Sequence, residues 1–175
     1  MDSFSTQLTT AIADAARQAF GELFANGEHY YYCSLITIAE GYAPFASAWS
    51  VEALEREKAQ HPDYDVKWSY ADSPYSILGE AYFEPVQHLL DTRPRIDEIS
   101  SEDWELELVM RLEAMEQAMR QLDEEGLFSQ NQPREQVCVL VELMPPVPLN
   151  TTIAKRLNPP AALEIWLKEA AELEE

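Results

Sequence analysis

The stretch Ser100–Leu143, SSEDWELELVMRLEAMEQAMRQLDEEGLFSQNQPREQVCVLVEL, decides the fold. From Trp104 onward, apolar residues recur at Leu108, Leu112, Met115, Met119 and Leu122, steps of four and three that draw one stripe down a long helix. Ser100 or Ser101 is placed to cap its start, with Glu102 and Asp103 in the first turn beside the positive end of the helix dipole. Gly126 is placed to stop it as the left-handed residue past the last turn, which brings Leu127 against Leu122. Gln136–Leu143 follows, a β-branched run bounded by Pro133 and Pro145, and reads as a buried central strand.

Upstream, Leu8, Ile12, Ala15, Ala16, Ala19, Phe20, Leu23 and Phe24 form a second helical stripe, from Ser5 to a stop at Asn26-Gly27. His29–Ala39, rich in aromatic and β-branched residues, reads as a strand, and Phe45–Trp49 as its hairpin partner across the Glu40–Pro44 turn. Ser50 caps a short polar helix, Val51–Gln60, ended by His61-Pro62-Asp63. A third strand is expected at Asp65–Tyr70 and a third helix at Ile77–Leu90, with Pro85 marking either its first turn or a kink. After the central strand, Met144–Pro148 is a proline-stiffened connector running extended over the surface. Asn150 or Thr151 then caps a short turn ending at Leu157–Pro159. A last helix, Pro160–Leu173, buries Leu163, Trp166, Leu167 and Ala170, with Glu164 and Lys168 paired at i,i+4. The expected fold is α+β, a single domain over residues 1–175 with a mainly antiparallel sheet of about four strands and helices packed against it.

A length of 175 residues, with 46% hydrophobic and 25% charged side chains, suffices to bury one core without staples. The charge is unusual: 32 acidic against 12 basic side chains, a formal net of -20. Such a surface repels phosphate backbones and anionic lipid and attracts cationic partners. Nucleic acid and membrane are therefore not expected as partners. The opening residues lack a positively charged targeting pattern, and no run approaches the roughly 18 apolar residues of a membrane span. A cytoplasmic location is expected.

No cofactor or metal is expected. His29, His61 and His88 have no second ligand at metal spacing. Cys33 and Cys138 lie inside strands, where free thiols act as small buried hydrophobes. Carboxylates abound, so their proximity assigns no catalytic acid or base, and with five glycines there is no phosphate-cradling loop. The aromatic residues, Trp68, Tyr70 and Tyr75 among them, fit either a ligand groove or the core and rim of the sheet. The acidic residues around the long helix, Glu98, Glu102, Asp103, Glu105, Glu113 and Glu116, together with Trp68, Tyr70 and Tyr75, are the candidate partner-binding residues. The pairs Glu107–Arg111 and Glu116–Arg120 neutralise part of that face.

Four segments together, Tyr30–Ile38, Trp68-Ser69, Met119–Phe128 with its LDEEGLF ending, and Arg156-Leu-Asn-Pro159, resemble a bacterial domain family of unknown function. Its members show a tryptophan-serine step, an "LDxEGLF" helix ending, a hydrophobic strand and a final "LNP". The likeness covers most of the chain, and this chain departs from it at Met144–Pro148, where a shorter polar turn is usual. The resemblance implies a genomic setting near polymorphic toxin and contact-dependent competition genes, shared with the SUKH-type immunity proteins. With that context, the acidic charge and the absence of a catalytic motif, the expected function is an immunity protein that binds and neutralises a cognate, basic toxin. An adaptor or chaperone for a secreted effector, and a small-molecule enzyme with an aromatic pocket, are the alternatives.

Overall fold

The computed structural model describes residues 3–172, a single α+β domain. Helix α1, Ser3–Phe24, leads into strand β1, Tyr30–Ile38, which returns as β2, Phe45–Ser50, and runs on into α2, Val51–Gln60. Strand β3, Tyr75–Leu78, a 3-10 turn and helix α3, Glu84–Leu90, precede the long helix α4, Ser101–Glu124. Strand β4, Cys138–Met144, and helices α5, Pro148–Leu157, and α6, Pro160–Glu169, complete the order. The sheet runs β3-β2-β1-β4, antiparallel at β3-β2 and β2-β1 and parallel at β1-β4.

The caps and the stop read at Ser100, Ser50 and Gly126 form as expected. Ser100 caps α4 by accepting the Asp103 N–H, and Ser50 caps α2 by accepting that of Ala53. Gly126 stands at φ +79°, its N–H bonded to the Asp123 carbonyl, and Leu127 is buried behind it. The stripe of α4 packs along α1 over one face of the sheet, where Leu112, Met115, Met119 and Leu122 meet Leu8, Ile12 and Phe20 above Cys33, Leu35, Val139 and Val141. The other face carries Tyr32, Trp49, Cys138 and Leu140, covered by Ala53, Val66, Leu163 and Trp166. Alternation along β1 and β4 therefore puts Cys33 and Cys138 on opposite faces of neighbouring strands.

Five expectations are corrected. Strand β4 is an edge, not a centre; burial on both faces gives it the apolar composition of an interior strand. Its outer edge is closed by the side chains of Asn150 and Asn158, which belong to α5 and its C-terminal cap rather than to a capped turn.

The segment Asp65–Tyr70 is irregular. Its carbonyls are taken by side chains instead of a ladder: Lys67 by Tyr31, Ser69 by Trp49 Nε1, and Tyr70 by Ser47 Oγ.

The third strand comes at Tyr75–Leu78 and takes the first two residues of the expected third helix, Ile77 and Leu78. Gly79, at φ +60°, separates it from the 3-10 turn, and α3 begins only at Glu84, with Pro85 in its first turn.

Helix α6 ends at Glu169 with Ala170 exposed, and the expected end at Leu173 lies outside the described residues.

Candidate partner-binding surface

The turn between β1 and β2 is fixed by side chains from α3 and α4. Trp104 Nε1 donates to the Ala39 carbonyl at 3.0 Å, and the Arg111 guanidinium donates to the Gly41 carbonyl while lying 5.0 Å over the Trp104 ring. Gly41 sits at φ +70°, and a Cβ there would come within 2.9 Å of both side chains. Gln87 accepts the Ala43 N–H from the α3 side at 2.9 Å. Glu107 binds Arg93 and Arg111 together. Burial alone would push the Glu107 carboxyl up, but the hydrogen bonds from Arg93 and Arg111 outweigh it and hold it below the ordinary range.

Two clefts flank this turn and share Gln87. One, of about 350 Å3, is lined by Tyr42, Ile96 and Trp104 with Arg93, Arg95 and Arg111. The other, of about 360 Å3, is lined by Pro44, Phe45, Ile77 and Phe83 with Glu80 and Glu84. Exposed apolar side chains gather here: Ile38 at the end of β1, Tyr42, Ile77 and Ile96. Farther along α4, Leu106 is 68% exposed, and Val109 lies three residues on, one helical step away on the same outer face.

The expected acidic residues divide into structural and free groups. Asp103 accepts the Ser100 hydroxyl at 2.7 Å and belongs to the helix cap; Glu98 accepts the Arg95 backbone N–H at 2.9 Å. Glu116 departs from the expected solvated face. It is 5% exposed, gripped by Arg156 at 2.6 Å and Arg120 at 3.0 Å, and it ties α4 to α5. Burial pushes its carboxyl up, while Arg156 and then Arg120 bring it net below the ordinary value. Glu102, Glu105 and Glu113 stay exposed, without an ion-pair partner among the described residues, and at i,i+3 and i,i+4 spacing they border Leu106 and Val109.

The aromatic candidates do not meet in one pocket. Trp68 donates Nε1 to Glu169 at 2.8 Å and stands edge-on to Tyr31; Tyr70 leans on Phe45; Tyr75 donates its hydroxyl to Glu28 at 2.7 Å. Sequence reasoning missed Tyr42, Ile77, Leu106 and Val109. Leu106 and Val109 carried a signal, since both are apolar yet fall outside the buried stripe of their own helix. Glu142 was likewise readable as a carboxylate inside an apolar strand. It accepts the hydroxyls of Tyr32 and Ser34, each at 2.6 Å, and burial raises its carboxyl above the ordinary range.

Residues 12–159 match the profile of a family described as a domain of unknown function, DUF4303. The chain belongs to this family. Comparison with curated proteins and with solved structures gave no match. Within the matched span of the DUF4303 domain, Arg134 joins the ending of α4 to the ending of α5. It binds Asp123 at 2.6 Å and reaches the Leu157 carbonyl and Asn158 Oδ1, each at 3.1 Å. The LDEEGLF and LNP segments thus meet through one guanidinium, and their role here is architectural. Among the described residues no helix is long and apolar enough to cross a membrane, and no group of three or more His, Cys, Asp or Glu is placed to hold a metal ion.

Proposed function

We propose that this DUF4303 domain is an immunity protein that acts in the cytosol, capturing and neutralising a cognate toxin of basic surface charge. The observation that carries the reading is the outer face of α4. There Leu106 and Val109 lie open to solvent, bordered by the exposed carboxylates Glu102, Glu105 and Glu113, which form no ion pair among the described residues. An apolar centre within a charged rim is the anatomy of a protein-binding patch: desolvated anchors supply affinity, and the rim supplies steering and partner choice. The net charge of -20 extends the steering to long range and favours rapid association with a cation. The aromatic-pocket alternative has less support, because Trp68, Tyr70 and Tyr75 are each engaged in a separate structural contact.

The test is co-expression with the basic, toxin-like product of an adjacent gene, scoring growth, followed by capture of the complex at low and high salt. Rescue with a salt-sensitive complex supports immunity by direct capture. A complex without rescue favours an adaptor for a secreted effector. Absence of both rescue and a complex overturns the reading.

A further inference from the structure

The second cleft beside the β1–β2 turn has features that the α4 face lacks. Strand β3 pairs with β2 through a bulge: Leu78 faces Ala46 and Tyr75 faces Ala48, leaving Ser76 and Ile77 opposite Ser47 alone. Ile77 occupies this extra position at φ +53°, a left-handed conformation that a β-branched residue seldom adopts. Its side chain is 55% exposed instead of joining the core. A strained backbone that holds an isoleucine out in water gives the folded domain nothing by itself, and strain of this kind concentrates at recognition sites.

Beneath Ile77 lies an apolar floor. Phe83 is buried at the base, Phe45 and Pro44 form one bank, and the cleft has room for a large side chain. Glu80 and Glu84 form the other bank; both are exposed and without an ion-pair partner among the described residues, and no lysine or arginine lines the cleft. An apolar slot with a purely acidic rim selects its occupant by charge. A second copy of this chain, itself at -20, is repelled. A segment carrying an apolar side chain between lysines or arginines satisfies both banks at once.

We infer that the cleft between Ile77 and the β1–β2 turn is an anchor site for an extended, lysine- or arginine-flanked apolar residue of the partner protein. The inference rests on the reading that the partner is cationic, and it adds a contact point distinct from the α4 face.

The probe is a blocked Lys-Lys-Leu-Lys-Lys peptide, titrated into the 15N-labelled full chain, with Lys-Lys-Ser-Lys-Lys as control. The leucine peptide is expected to move the amide resonances of Ala43, Phe45, Ile77 and Phe83, and the serine peptide to bind about tenfold more weakly, the equivalent of losing one buried aliphatic side chain. Combined Glu80→Lys and Glu84→Lys reversal should abolish these shifts, while reversal of Glu102 and Glu105 should leave them. Ile77→Gly, which suits the left-handed backbone, should weaken the leucine peptide without loss of thermal stability. Equal binding of the two peptides, indifference to the Glu80 and Glu84 reversal, or no shift at the cleft with millimolar peptide overturns the anchor site. Shifts confined to Glu102–Glu113 sink the anchor site and leave the proposed function standing.

Discussion

Asn158 holds Val139 by both halves of its side-chain amide: Oδ1 accepts the Val139 N–H at 2.8 Å, and Nδ2 donates to the Val139 carbonyl at 2.6 Å. Asn150 does the same for Leu143, at 3.0 Å in each direction. Two carboxamides thus act as short stand-ins for a further strand, satisfying the outer edge of β4 at Val139 and Leu143 and fixing α5 antiparallel beside it. An open strand edge invites pairing with other chains, and this one is closed from within.

Asn158→Ala strips a donor and an acceptor from buried backbone, while the Ala154 carbonyl loses the Nδ2 contact at 2.9 Å but keeps the backbone N–H of residue 158. The expected cost is about 2–4 kcal/mol, from groups left buried without partners. Asn158→Asp should cost a comparable amount, since it keeps the shape but loses the donor. Urea unfolding measures both, and a loss under about 0.5 kcal/mol would mean that α5 is held by its other contacts rather than by this amide.

Glu116→Gln should weaken the junction of α4 and α5 by about 1–2 kcal/mol, discounted because Arg156 and Arg120 are both partly open to water. The pH behaviour follows from the sign. A carboxyl held below its unfolded value stabilises the fold above that value and loses the contribution as pH falls through the folded one. Acid unfolding below about pH 4 should therefore be less steep in Glu116→Gln than in the parent chain, and parallel acid limbs would contradict it.

Glu142 runs the other way. Burial raises its carboxyl, so its contribution is fully present below the ordinary carboxylate value and lost as pH rises through the raised one. Glu142→Gln should be more stable than the parent at neutral and alkaline pH, with the advantage shrinking toward acid. Melting temperatures of the two proteins across pH 4 to 8 provide the check; a constant offset would show that the carboxyl does not titrate in that range.

Cys33 and Cys138 should react with a thiol reagent only on unfolding, at least about a hundredfold more slowly in the native chain than in the denatured one. Burial raises both thiols, and they face opposite sides of the sheet, so oxidation of native protein should yield no intramolecular disulfide. Mass spectrometry after mild oxidation would reveal a bridge if the placement were different.

Combined Glu102→Lys and Glu105→Lys should cost no more than about 1 kcal/mol of folding stability, because neither carboxylate has an ion-pair partner among the described residues and only Glu102, in the first turn of α4, favours the helix dipole. The same change should slow association with a basic partner at low salt and matter little at high salt. Stopped-flow association rates at two ionic strengths separate that outcome from an interface that uses Leu106 and Val109 alone.

Helices α1, α2 and α4, strands β1, β2 and β4, the Ser50 and Ser100 caps and the Gly126 stop were legible because each is a local signal. A 3.6-residue stripe, a β-branched run, a hydroxyl before a helix and a glycine after it act within a few residues of themselves. The pairs Glu107–Arg111, Glu116–Arg120 and Glu164–Lys168 were legible for the same reason, being one helical turn apart. The candidate surface was legible in part. The free carboxylates of α4 were named from sequence, but Glu116 could not be told from them without Arg156, forty positions away.

The chain by itself determined an acidic, single-domain α+β protein and the identity of most of its elements, since charge and periodicity are properties of neighbouring residues. The tertiary structure alone decided the rest: β4 at an edge, Asn150 and Asn158 as its clasp, Asp65–Tyr70 as loop and Tyr75–Leu78 as strand. It also decided that Ile77 and Leu106 are exposed while Glu107, Glu116 and Glu142 are buried. These outcomes depend on which distant groups arrive to take a hydrogen bond, a charge or an apolar face.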